Sequence, residues 1–267
     1  ISVQEDAIST FRALLESKGE LGTITACTGL VGLTAAYPTL QQLQIAQRAG
    51  HEVITCGADS AELSADSAES SVTIAKTYMN NNALMGGTEV FLYPAEGNSN
   101  GTVTDIVGEH YKYAINIAEE NTYVDSDLID RLSIPVVMIT NTRNLLDEAV
   151  KNAIDTAYAT NGWCILAVDT SSSAYSNEAF SDVIDYVKGM AGADIVAVST
   201  AVRLIEDTIN NQLAAVKEAL AALASDADSA ITALEQKDKE HDEALSKVLY
   251  VVSFDASTGT LVTRSAT

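Results

Sequence analysis

Gly50-His51-Glu52-Val53-Ile54-Thr55-Cys56-Gly57-Ala58-Asp59-Ser60 is the stretch that decides how this chain is read. It follows an amphipathic run, turns apolar and β-like from Val53 to Cys56, and ends in small polar residues. In an α/β domain the reactive groups stand on loops beyond the carboxyl ends of strands. This loop offers Cys56, Asp59 and Ser60, a thin set for catalysis.

Outward from it, strand-like and helical runs alternate. Ile8, Phe11, Leu14 and Leu15 predict a helix over 5–18, closed by Gly19. A second helix runs from Pro38 to Gly50, a long one over 61–83, and others over Val103–Tyr111, Leu145–Thr160 and Phe180–Met190. Strand-like runs fall at Thr23–Cys27, Val53–Cys56, Glu89–Tyr93, Tyr113–Ile117, Ile134–Ile139, Trp163–Val168 and Ile195–Val198. Strands alternating with helices at this density mean parallel βαβ units. Seven such runs over residues 1–200 predict an α/β fold of the (β/α) barrel kind, complete or short of a strand, rather than an open five-stranded sheet.

At residue 201 the character changes. From Ile205 to Val248 there is neither Pro nor Gly. Apolar residues recur at Ile205, Ile209, Leu213, Val216, Leu220, Leu223, Ala227, Ile231, Leu234, Leu245 and Val248, in steps of three and four. This is a heptad seam with a stutter near Ala227, continued through the polar Asp238 and His241. One narrow seam cannot be buried by a single helix, so 201–249 predicts a coiled coil joining copies of the chain in parallel, a dimer or a trimer. Packing of the helix back onto the barrel is the other possibility. Tyr250–Asp255 and Thr260–Thr263 alternate around a Ser-Thr-Gly turn, so 250–267 predicts a β-hairpin or the start of a further β domain.

Composition narrows the partners. Of 267 residues, 37 are acidic and 15 are Lys or Arg, a net charge of −22. A chain so acidic lacks the basic footprint that nucleic acid or an anionic membrane requires. No run approaches the ~20 apolar residues of a membrane span. An Ile at position 1 marks a processed chain or a segment of a longer one. Cys27, Cys56 and Cys164 are three in number and have no Cys-x-x-Cys spacing, so they predict free buried thiols.

Five pieces of wording, in order, resemble the polysaccharide deacetylase family, the NodB homology domain. They are Pro38-Thr39-Leu40-Gln41-Gln42-Leu43 with Ala49-Gly50-His51-Glu52-Val53; Phe91-Leu92-Tyr93-Pro94-Ala95-Glu96-Gly97; His110-Tyr111-Lys112-Tyr113-Ala114; Asn161-Gly162-Trp163-Cys164-Ile165-Leu166; and Ala193-Asp194-Ile195-Val196-Ala197-Val198. The resemblance covers roughly residues 1–200 and implies a distorted (β/α) barrel. Active members hold a metal with one Asp and two His, and use a further Asp as base and a late His as acid. Such a metal activates water against the acetyl carbonyl.

Carried over position by position, the chemistry is missing. The two metal-binding His positions hold Cys56 and Ser60. Leu92 stands where an Arg precedes Tyr-Pro, and Asp169 lies at or near the late His position. Counting back places the family's Asp-Asp pair at or before Ile1. The only histidines are His51, His110 and His241. The first two read as structural; His241 reads as a polar layer of the seam, or in a trimer as three imidazoles around an ion. Cys56, Asp59 and Asp169 form a conceivable replacement metal set. Tyr93, Trp163 and Tyr175 are candidates to stack on sugar rings, beside loops at Asn98–Asn100 and Thr170–Tyr175.

The resulting expectation is a structural virion or appendage protein, such as a phage tail fibre or spike. Its deacetylase-like barrel is inactive and needs no cofactor or metal. Its coiled coil, with Ile209, Leu213, Val216, Leu220, Leu223, Ile231, Leu234, Leu245 and Val248 in the seam, makes a homo-oligomer, a trimer by analogy with fibres. Its partners would be other virion proteins and bacterial surface polysaccharide. An active esterase with its missing ligands upstream of Ile1, and a bacterial surface adhesin, are the alternatives.

Overall fold

The computed structural model describes residues 5–34, 37–84, 88–94, 101–120, 130–139, 148–168, 176–247, 250–255 and 260–265. Two compact units result, Ile1–Glu206 and Asp207–Thr267.

In the first unit the elements are α1 (Glu5–Ser17), β1 (Thr23–Ala26), α2 (Leu40–Arg48), β2 (Glu52–Thr55), α3 (Ala68–Asn81), β3 (Val90–Leu92), α4 (Gly101–His110), β4 (Tyr113–Glu120), β5 (Ile134–Met138), α5 (Glu148–Ala159), β6 (Ile165–Ala167), α6 (Asn177–Lys188) and the first turns of α7 (Val198–Lys247). The six strands form one all-parallel sheet in the order β1-β2-β3-β4-β5-β6. Each strand pairs with the next in sequence, as right-handed βαβ repetition requires. One cluster, with Ile54, Val90, Ile115, Val136 and Ile165, draws on β2 to β6, with Cys27 just beyond β1. An open flat sheet could not bring its two edges onto a common core, so the sheet is curled into a partial barrel. Alternate residues face outward, where Ile24 and Val53 meet α1, α2 and α3, and Val137 meets α5 and α6.

Two departures from the sequence reading, and one irregularity of the sheet, have local causes. The helix expected over 61–83 begins only at Ala68. Asp59 accepts from the Ala61 N–H (3.0 Å), and Ser64 and Ser67 bond each other's backbone N–H (3.0 and 3.2 Å), so side chains hold the polar groups a helix would need. In β5, Pro135 has no N–H for the ladder, and the β4–β5 register shifts between Asn116 and Glu120. The seventh strand expected at Ile195–Val198 does not form. Val198 N–H donates to Thr23 Oγ1 (3.0 Å) and Ser199 N–H to Glu52 Oε2 (3.1 Å), which starts α7 there. Val198 and Val202, one helical turn apart, then pack into the barrel core. The barrel is therefore open between its edge strands β1 and β6.

The second unit holds the rest of α7, followed by β7 (Tyr250–Asp255) and β8 (Thr260–Ser265), paired antiparallel from Tyr250↔Ser265 to Asp255↔Thr260. The turn at Ala256–Gly259 lies outside the described residues. Large apolar side chains along α7 stand in solvent, from Ile209 (43% exposed) to Leu234 (66%).

Candidate functional site

The carboxyl ends of β1 and β2 are where this architecture places its chemistry. The two strands run level, Thr23↔Glu52 through Ala26↔Thr55, so Cys27 and Cys56 emerge side by side. They form a disulfide, with Cα atoms 5.2 Å apart. This corrects the expectation of three free thiols. Only Cys164 is free among the described residues, and burial pushes its thiol up to about 11.

The backbone beyond the disulfide is zipped as well. Thr28 N–H donates to Gly57 C=O (3.0 Å) and Gly29 N–H to Ala58 C=O (2.7 Å), extending the ladder past both strands. A side chain on Gly29 would stand 2.6 Å from that Ala58 oxygen, so the loops could not close with any other residue there. Gly57 takes φ +108°, in the region that favours glycine, and its neighbour Ala58 N–H donates to Ser71 Oγ (2.9 Å). The Thr28 hydroxyl donates to Gly57 C=O (3.3 Å). What would be an open site is closed by a covalent bond and a continued sheet.

The Asp-Asp pair that the resemblance places at or before Ile1 falls outside the described residues. Cys56, as a disulfide sulfur, drops out of the replacement metal set. Ser60 is exposed on the following loop, and Asp59 caps that loop. Among the described residues no group of three His, Cys, Asp or Glu converges to hold a metal. The described residues do not fit the metal that the resemblance implies. Asp169 and Tyr175 lie outside the described residues.

The other candidates fall elsewhere. Leu92 is buried in the barrel core. Tyr93 is 1% exposed and packs edge-on against Phe91, with ring centres 5.7 Å apart, so it is a core residue and presents no face to a sugar. Trp163 precedes β6 and so stands at the opposite, amino-terminal end of the barrel. It lines a cavity of about 980 Å³ between β1 and β6, with Ile24, Thr25, Phe180 and Val198. His110 closes α4 against Glu69 (3.1 Å).

Gly50-His51-Glu52 likewise faces the amino-terminal end, away from the chemistry. Gly50 takes φ +102°. His51 is buried; its Nδ1 accepts from Gly22 N–H (3.1 Å), which leaves the proton on Nε2, 3.4 Å from Glu16. Burial lowers its pKa, against the pull of Glu16. Glu52 Oε2 accepts from Thr23 Oγ1 (2.8 Å) as well as from Ser199 N–H. Sequence reasoning missed this role and the disulfide. The signal for the latter was present: each four-residue strand is followed at once by a Cys.

No known family pattern and no curated protein matches the chain. Solved structures do. A putative polysaccharide deacetylase from Mycobacterium smegmatis superposes with TM-score 0.53 at 14% identity, covering 75% of this chain and 77% of that one. The barrel has the polysaccharide deacetylase fold. A CE4 family pseudoenzyme from Bacillus anthracis matches with TM-score 0.51 at 12% identity, over 75% of this chain and 62% of that one. A mutant of that pseudoenzyme with restored enzymatic activity matches equally, at 0.51. Puue allantoinase matches with TM-score 0.54 at 13% identity, over 73% and 70%. The chain spans somewhat over three fifths of the length of several of these structures. The fold thus accommodates deacetylase, allantoinase and pseudoenzyme alike, and residues decide between them.

Proposed function

We propose that this protein is a structural component of an extracellular appendage, a phage tail fibre or spike, in which a catalytically silent deacetylase-fold barrel is carried on a self-associating helical stalk. The observation that carries the reading is the Cys27–Cys56 disulfide. It ties Cys56, at a position where the resemblance puts a metal-binding histidine, to the end of the neighbouring strand, so that position cannot hold a metal while cross-linked. Disulfides persist in oxidising surroundings, which supports an extracellular location. The stalk is supported by the exposed heptad face of α7, which a lone soluble helix has no reason to keep. Bacterial surface polysaccharide is the ligand class we assign to the barrel, with Tyr175 as the remaining aromatic candidate for a contact.

The test joins metal analysis of the purified protein to an assay of acetate release from acetylated chitin and peptidoglycan fragments. We expect no stoichiometric metal and no acetate. Stoichiometric metal together with turnover would overturn the silent-barrel reading. Electron microscopy of intact particles, with an antibody to the barrel, separates a virion fibre from a cell-surface adhesin.

A further inference from the structure

The stretch Ile231 to Leu245 carries information that the apolar seam alone does not. Steps of three and four from Ile231 through Leu234, Asp238, His241 and Leu245 place Asp238 at an a position and His241 at a d position. Lys237 is then a g residue and Asp242 an e residue, flanking the seam on opposite sides. All of them are exposed on α7. Five residues apart, Lys237 and Asp242 are not neighbours on one helix, where partners lie three or four apart. Gln236 and Glu240, which are four apart, do bond each other (3.0 Å) on the outer face.

We infer that the copies of the chain associate in parallel and in register, with Lys237 of one copy paired to Asp242 of the next across a polar layer of Asp238 and His241. In a parallel in-register coil a g residue faces the e residue five positions further along the neighbouring helix, which here matches a cation to an anion. An antiparallel arrangement centred on the same patch sets g against g and e against e, Lys237 facing Lys237 and Asp242 facing Asp242. The polar a and d residues add to this selection. A buried Asp or His layer is tolerable only opposite its own kind of layer, because any slip sets it against leucine. The occupant of the exposed face is therefore a second copy, or a second and a third, since the g-to-e pairing is the same in both. This inference rests on self-association through α7 and adds its register and the residues that select the parallel direction.

The test uses the full chain throughout. Sedimentation of the unaltered protein comes first, and a monomer would overturn both self-association and this inference. Given an oligomer, Lys237→Glu sets Glu against Asp242 and is expected to weaken association about tenfold at low salt. Asp242→Lys alone should do likewise, and Lys237→Glu with Asp242→Lys together should return it to within about threefold of the original. Rescue of this kind requires contact between chains. Leu234→Cys in a Cys164→Ser background should form an inter-chain disulfide with a low-molecular-weight disulfide such as oxidised glutathione, which is reduced to two thiols in the exchange. An oligomer that neither cross-links at Leu234→Cys nor shows charge-swap rescue would overturn the parallel register while leaving self-association standing.

Discussion

Gly50, His51 and Glu52 show how far a residue's position in a motif can mislead about its task. They lie beside the candidate site in sequence, yet they weld the amino-terminal end of the barrel. Glu52 supplies one carboxylate oxygen to both Thr23 on β1 and the first turn of α7. That makes it an anion at a helix N-terminus, a favourable place for negative charge. Glu52→Ala leaves Ser199 N–H without its acceptor in a buried place and should cost about 2–3 kcal/mol in urea unfolding, whereas Glu52→Gln, which keeps an acceptor, should cost less. His51 sets the pH response. Because burial depresses its folded pKa below 6.5, the unfolded chain binds the proton more readily. The contribution to stability is present above pH 6.5 and is lost as pH falls from there through the folded-state value. Unfolding midpoints measured at stepwise lower pH should fall across that window, and His51→Asn, which keeps an acceptor for Gly22 N–H, should flatten the slope. Cys27 and Cys56 close a loop of 29 residues. Replacing both with Ser should cost about 3–4 kcal/mol on the chain-entropy account, and a reductant should reproduce the loss in the unaltered protein.

Among elements, those with strong periodicity were legible and those governed by partners distant in sequence were not. The βαβ alternation and the heptads of α7 follow from side-chain spacing alone, and all six strands lie where apolar runs end at Gly, Pro or polar loops. Ile195–Val198 reads as a strand because its residues are apolar and β-branched, but its fate is settled by Thr23 and Glu52, more than 140 residues earlier. Ala61–Ser67 reads as helix until the Ser64 and Ser67 hydroxyls are seen to occupy each other's backbone. The candidate site was read from the resemblance, which sets Cys56 and Ser60 at two histidine positions. The disulfide was only half legible, since a Cys directly after each strand faces the other only if the two strands are neighbours. The pairing of β1 with β2 makes them so. At this scale α7 makes its own prediction. Asp238 and His241 interrupt an otherwise apolar seam, so Asp238→Leu with His241→Leu should raise the melting of the helical signal by about 5 °C or more while loosening the choice of register. Circular dichroism gives the first, and the Leu234→Cys cross-link, now accompanied by out-of-register products, gives the second.

For the whole molecule, the two units are held by different physics and should come apart under different conditions. The barrel is stabilised by a buried core and an intrachain disulfide, so its unfolding is unimolecular and sensitive to reductant. On the proposed self-association the α7 seam is stabilised by other copies that cover it, so its melting should be coupled to concentration. Beyond residue 206, α7 carries nine acidic residues against four lysines, so association also gathers like charge. Salt screens that repulsion over about 10 Å at 0.1 M. Two transitions are therefore expected on heating. One, followed by the single Trp163, should shift down with reductant and stay fixed over a hundredfold range of protein concentration. The other, followed by helical ellipticity, should ignore reductant, rise with concentration, and rise between 0.02 M and 0.2 M salt. A single transition that responded to both reductant and concentration would mean that the barrel and stalk unfold as one cooperative body, and the division of labour argued for them would be lost.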